Sequence, residues 1–212
     1  TYDFAPSFRY IAPYFRKSDL AIVNLETTLS YEGPFTGYPA FRSPASLVDA
    51  MYDMGVDVAA LANNHCCDKG LRGIRSTTAI LDSAKILRVG VYPDTLDYAA
   101  RNILYLNRRN IRFAIVNYTY GTNGIPTPKG KLVNYIDTID IKRDLRTINR
   151  DSVDCVIACM HWGDEYVRIP PQRVQELSAW LIEQGVDHII GNHPHVIQPF
   201  ELRREANSLA RH

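Results

Sequence analysis

The chain has 212 residues, 46% of them hydrophobic, enough for a single domain with a sizeable buried core. A formal charge of +1 leaves no basic surplus for nucleic acid or an acidic membrane. Nor does any apolar run approach the roughly eighteen residues that span a bilayer.

The chain opens on Thr1-Tyr2-Asp3-Phe4 rather than on Met or a secretory leader. Apolar runs then alternate with amphipathic segments, the pattern of β-α-β layers in an α/β protein. Asp19 to Leu25 reads as a buried strand. Ser43-Pro44 opens a helix, with Pro in its first turn, that runs to Met54 and stops at Gly55. Asp57 to Ala62 is the next strand. Lys69 to Ala84, with Leu71, Ile74, Thr78 and Leu81 at helical spacing, is a helix, and Arg88 to Val91 a short strand. Asn102 to Leu106 and Ile111 to Tyr118 flank Asn107-Arg108-Arg109-Asn110, which predicts a hairpin with a four-residue turn. Gly121 to Lys131 is a loop, Leu132 to Ile136 one more strand, and Thr138 to Asn149 a helix. A strand from Val153 ends at His161. Pro170-Pro171 precedes a helix over Gln172 to Gln184, closed by Gly185, and Val186 to Ile190 is the last strand. Glu201 to His212 is polar and offers no closing core element, so the chain reads as one domain, 1–212, incomplete at both termini.

Four histidines stand where these apolar runs stop: His65, His161, His193 and His195. The carboxyl ends of neighbouring strands in an open α/β sheet border one crevice. Imidazoles delivered there from three strands would converge, and imidazole with carboxylate is first of all a metal site. Zn, Mn or Fe needs neutral imidazole, carboxylate or amide oxygen at about 2.0–2.2 Å. His193-Pro194-His195, if extended, turns both rings to one side; otherwise they are surface histidines after a strand. His161 alone reads equally as a core histidine above Trp162. Asn64 offers an amide oxygen and His65 a general acid, or the pair is a strand-to-loop cap. Glu26 ends the run Ile22 to Leu25, and a carboxylate at a buried strand end needs a partner, which a bridging position between two cations would give. Its other reading is a capping or surface role before Thr27-Thr28-Leu29.

Other polar residues carry less. Asp68, Asp164 and Glu165 follow a surface pattern, and His188, inside a strand run, reads as a packed histidine. Tyr118 to Gly124 follows a strand, and its Tyr120 and Asn123 are candidates to meet substrate oxygens, as Arg42 is to meet an anionic substrate. Cys66 and Cys67 are adjacent, and Cys155 and Cys159 lie roughly 13 Å apart along one strand at about 3.3 Å per residue, so buried free thiols are expected. No Gly-x-Ser-x-Gly elbow, phosphate-binding glycine loop or dinucleotide fingerprint is present.

Asn24-Leu25-Glu26-Thr27-Thr28-Leu29, Leu61-Ala62-Asn63-Asn64-His65, His161-Trp162-Gly163-Asp164-Glu165-Tyr166 and His193-Pro194-His195 follow one another in this order. In these motifs the sequence resembles the poly-γ-glutamate capsule biosynthesis (CapA-type) family, and Tyr118 to Gly124 is similar to that family's Tyr-Gly-Thr-Asn-Gly loop. The match spans Tyr2 to about Glu201. The resemblance implies a calcineurin-like metallophosphoesterase fold: two packed mixed β-sheets flanked by helices (αββα) around two divalent ions, Mn, Fe or Zn. By motif, Glu26 would bridge the ions, Asn64, His161 and His193 would ligate one, and His195 the other. His65 would protonate the leaving group during in-line hydrolytic attack. The family's opening-strand aspartate belongs ahead of Tyr2; Asp3 does not replace it, and without it the site holding His195 is half built. The implied function is a metal-dependent hydrolase of a phosphoester or a polyglutamate-like amide, with an anionic polymer as substrate. It would act at the cell envelope, exported or anchored on its outer face, beside membrane-bound capsule synthesis proteins. The alternative is a non-catalytic polymer-binding or scaffold subunit of a capsule synthesis or export complex.

Overall fold

The computed structural model describes residues 2–202. Two short helices, α1 (Ala5–Phe8) and α2 (Ala12–Phe15), come first. They are followed by β1 (Ile22–Asn24), β2 (Thr28–Ser30), β3 (Arg42–Pro44), α3 (Ser46–Met54), β4 (Val58–Ala60), α4 (Gly70–Ser83), β5 (Leu87–Val89) and α5 (Thr95–Arg101). The second half adds β6 (Leu104–Arg108), β7 (Ile111–Thr119), α6 (Thr138–Arg146), β8 (Cys155–His161), α7 (Gln172–Glu183) and β9 (His188–Asn192). β1, β4 and β5 form one parallel sheet in that order. β6 to β9 form a second, antiparallel only at the β6–β7 hairpin.

Side chains alternate across a strand, and here the alternation sorts residues into four layers. Val58 and Ala60 of β4, Val89 of β5, Ile115 of β7 and Ile157 and Cys159 of β8 share one cluster, so those faces meet between the two sheets. The intervening residues face outward. Ala59 packs with Val48 and Met51 of α3 and Ile74 and Leu81 of α4. Ala114, Val116, Val156 and Ala158 pack with Ile141 and Leu145 of α6 and Leu181 of α7. The result is the αββα, metallophosphoesterase-like arrangement that the family resemblance implied. Val58, Val89 and Ile115 are fully buried, and each such burial contributes roughly 1.5–3 kcal/mol.

Asn117 of β7 crosses the gap between the sheets. Its Oδ1 accepts the Ala62 N–H at 2.6 Å, while its Nδ2 donates to Cys159 O at 3.0 Å and Ala62 O at 3.4 Å. Gly90, after β5, lies against it with φ +98; a Cβ there would sit 2.2 Å from Asn117 Oδ1.

Several elements differ from expectation. The hairpin turn has two residues, not four: Arg108 pairs with Ile111, and Arg109 (φ 52) and Asn110 (φ 66) are both left-handed, the twist that suits flanking strands. Ser43-Pro44 does not open a helix. It belongs to β3, which runs parallel to β2, and α3 begins at Ser46. Leu132 to Ile136 makes only isolated bridges, Val91 with Val133 and Thr119 with Tyr135. α5 is a helix beyond the expected elements, and Asp94 caps it by accepting the N–H groups of Leu96 and Asp97. His188 is exposed rather than packed, because β9 pairs only with β8 among the described strands and shows its outer positions to solvent. All four cysteines are free, and three are buried. No helix among the described residues is long and apolar enough to cross a membrane. Of the polar segment Glu201 to His212, residues 203–212 lie outside the described residues.

Candidate metal centre

The alternation that builds the core also delivers the site. Cys155, Ile157 and Cys159 face the inter-sheet layer, and His161, next in parity at the end of β8, does the same. Ile22 faces that layer from β1, and Asn24 and Glu26 follow in its parity. Asn63 locks the two strand ends of the first sheet together: its Nδ2 donates to Leu25 O at 2.8 Å and Asn24 Oδ1 at 3.2 Å. Its Oδ1 accepts the His65 N–H at 3.1 Å. Asn63 therefore does the capping, and Asn64 is left free to face the cleft.

Five of the expected ligands converge. His161 Nε2 is 2.9 Å from Asn64 Oδ1 and 3.7 Å from Glu26 Oε1, and His195 Nε2 is 3.8 Å from the same carboxylate oxygen. Glu26, His161 and His193 offer donor atoms all within 4.8 Å of one another. Asn24 Nδ2 donates to Glu26 Oε2 at 2.8 Å, which leaves Oε1 toward the histidines. The His193-Pro194-His195 segment is not extended. His193 (φ 96) and His195 (φ 54) are both left-handed, in a turn that buries His193 and leaves His195 half-exposed. The two rings still lie near each other, with centroids 6.1 Å apart.

This donor set fits a divalent ion. Nδ1 of both His161 and His193 is buried without a hydrogen-bond partner, a costly condition for a polar atom. Two imidazoles, a carboxylate and an amide oxygen suit Mn, Fe or Zn. Burial, with His193, His195 and His65 nearby, holds the His161 imidazole down to about 3 from an ordinary 6.5. Burial lowers His193 as well, and raises the Glu26 carboxyl against the opposing pull of His195 and Asn24. Both rings are thus neutral, with lone pairs to offer, at physiological pH.

The same shift predicts a pH dependence. Between pH 6.5 and 3 the unfolded chain carries a proton at residue 161 that the folded chain excludes. Stability of the chelator-treated chain therefore falls as pH drops through that window, by up to about 1.4 kcal/mol per pH unit for this group. Denaturant midpoints at pH 7 and 4.5 measure the slope, and His161→Gln should flatten it. Equal slopes in the two proteins would show that another group is responsible.

His65 stands beside the cluster in a dyad. Asp68, read as a surface residue, has a fully buried side chain: its Oδ2 takes His65 Nδ1 at 2.8 Å and the Phe41 N–H at 2.6 Å. The signal available was the three-residue spacing after His65. On the other side of the ring, Asn123 Nδ2 is 3.4 Å from His65 Nε2, and Asn123 Oδ1 accepts from Asn64 Nδ2 at 3.3 Å. The Tyr120 ring stacks on His161 at 6.2 Å and meets His193 at 4.7 Å. Arg42 stands apart, donating to Ser30 Oγ at 2.9 Å and Pro34 O at 3.4 Å between β2 and β3. Asp3 stands apart too, just ahead of α1, where it accepts the Ala5 N–H at 3.0 Å.

Comparison with known proteins bears on the fold and the family. A crystal structure of a hypothetical protein from Thermus thermophilus superposes with a TM-score of 0.54 at 19% identity, covering 91% of this chain and 63% of that one; at that identity the likeness is one of fold. Capsule biosynthesis protein CapA of Bacillus anthracis is 29% identical over 209 residues, 93% of this chain and 50% of the relative. PGA biosynthesis protein CapA of Bacillus subtilis is 27% identical over 199 residues, 92% and 52% respectively. The chain thus spans about half the length of these curated relatives. The profile of the bacterial capsule synthesis protein family PGA_cap matches residues 1–207, and the chain belongs to that family.

Proposed function

We propose that this chain is a metal-dependent hydrolytic domain acting on an anionic polymer in capsule synthesis, at the cell envelope. The bond cleaved is a phosphoester or the amide of a polyglutamate-like chain. One observation carries the reading: Glu26, Asn64, His161, His193 and His195 come from four strand ends in two sheets, yet crowd around one point beside a buried His–Asp dyad. The names of the Bacillus relatives support capsule polymer as the substrate class.

Glu26, Asn64, His161 and His193 would hold one ion and His195 would face a second. A bound divalent ion supplies Lewis acidity and neutralises charge gathering on the scissile group. The chain's own groups do the rest. Asp68 accepts from His65 Nδ1 and fixes the ring, so that Nε2 is the atom turned to the cleft. In its protonated form that nitrogen gives its proton to the departing oxygen or amine. Asn123 Oδ1 accepts from Asn64 Nδ2 and steadies that amide beside His65, and the half-exposed face of Tyr120 offers a platform at the mouth.

The test is hydrolysis of bis(p-nitrophenyl) phosphate and of poly-γ-glutamate by the Mn²⁺-loaded chain. His65→Ala should lower turnover roughly 10²- to 10⁴-fold, the usual worth of a general acid, with metal binding unchanged in calorimetry. Turnover that survives in His65→Ala assigns proton transfer elsewhere. Polymer binding without cleavage of either substrate makes the domain a binding subunit instead.

A further inference from the structure

Glu165 is outside the ligand set that the family resemblance implies. It lies in the turn between β8 and α7, and its carboxylate, a His193 ring nitrogen and a His195 ring nitrogen lie within 4.8 Å of one another. Its neighbours on both sides fix it there. The Tyr166 N–H donates to Pro194 O at 2.7 Å, which ties this turn to the middle of the His193-Pro194-His195 segment. The Tyr166 ring lies over that of His195, with centroids 6.0 Å apart. Asp164, on the other side, is drawn away into an ion pair with Arg173 of α7.

The backbone is bent to make this meeting. Tyr166 (φ 61), His193 (φ 96) and His195 (φ 54) are all left-handed without being glycine, a conformation that costs energy and gathers at functional sites. His193 is 7% exposed and its Nδ1 has no partner. His195 stands between two carboxylates, 3.8 Å from Glu26 on one side and near Glu165 on the other.

Resting on the metal-dependent reading above, we propose that Glu165 is a metal ligand: with His195 and Glu26 it holds a second divalent ion beside the one held by Glu26, Asn64, His161 and His193. Donors about 2.1 Å from one ion lie no more than about 4.2 Å apart. His195 Nε2 is 3.8 Å from Glu26 Oε1 and a His195 ring nitrogen lies within 4.8 Å of the Glu165 carboxylate, so His195 reaches each carboxylate with small side-chain movements. An imidazole nitrogen gives its lone pair to one ion. His193 therefore serves the first, and Glu165 is a donor the second has to itself. A further carboxylate also offsets the added positive charge, and the mixed oxygen and nitrogen set suits Mn, Fe or Zn.

Titration of the chelator-stripped chain with Mn²⁺, by calorimetry and by elemental analysis after gel filtration, tests the assignment. Wild-type chain should bind two equivalents. Glu165→Gln should keep the first at wild-type affinity, which also shows that it folds, and bind the second at least tenfold more weakly, since even outer-shell losses cost roughly 10- to 100-fold. Asp164→Asn should match wild type. If Glu165→Gln binds both equivalents normally, or wild type binds a single equivalent that the substitution leaves unchanged, the proposal falls while the hydrolase reading stands. A wild-type chain that binds no ion overturns both.

Discussion

His161→Ala is expected to abolish tight divalent-metal binding. Its Nε2 sits 2.9 Å from Asn64 Oδ1 and 3.7 Å from Glu26 Oε1, at the meeting point of the two sheets, and the ring is 1% exposed. Loss of an outer-shell partner alone costs roughly 10- to 100-fold in affinity, and loss of a buried ligand exceeds that, so affinity should fall at least about 100-fold. Metal at 100 times its Kd stabilises the folded chain by about 2.7 kcal/mol. For a chain of this size that is a rise in Tm of roughly 5–11 °C, and the rise should vanish in the variant. His193→Ala should behave likewise, and His188→Ala, exposed on β9, should keep wild-type binding. Melting each variant with chelator present separates damage to the fold from loss of the ion. Wild-type affinity in both His161→Ala and His193→Ala would move the metal centre elsewhere.

Gly90→Ala is expected to be the most damaging single-methyl change in the core. The residue has φ +98, and an added Cβ would lie 2.2 Å from Asn117 Oδ1 and 2.8 Å from the Ala62 Cβ. Left-handed backbone costs a side-chain-bearing residue roughly 1–2 kcal/mol, and overpacking a tight site typically adds roughly 1–3 kcal/mol. Displacing Asn117 would also strand buried polar groups of Ala62 and Cys159, at roughly 1–3 kcal/mol. A total of roughly 3–8 kcal/mol should appear in denaturant unfolding. Gly185→Ala, with φ +95 but nothing within 4 Å, isolates the backbone cost and should lose only about 1–2 kcal/mol. Equal losses at the two positions would refute the role given to Asn117.

Strand ends were legible in the sequence because burial and period coincide there. Cys155 to Met160 is apolar on both faces since both are covered, and His161 breaks the run where the covering ends. The same logic exposed Glu26, Asn64 and His193. What lay hidden depends on partners distant in the chain. Thr28–Ser30 and Arg42–Pro44 are too short to show a period and become strands only by pairing with each other. Pro44, which lacks an N–H, reads as a helix opener when seen alone. Asp68 looks like a surface acid because nothing local marks the Phe41 amide that captures it, whereas Glu165 is exposed as its pattern suggests, and only the fold sets it near the His193 turn. The division of labour between Asn63 and Asn64 is likewise a matter of which way two identical side chains turn, settled by Leu25 O on a separate strand.

Glu26 and Asn64 ride on one sheet, and His161, His193 and His195 on the other. An ion seated among them would be a rivet through both layers, since neither half of the polypeptide carries all of these candidate ligands. Filling the pocket and closing the sandwich therefore become a single equilibrium. Loosening at Val58 or Ile157, which are not among the candidate ligands, would then be felt as weaker affinity.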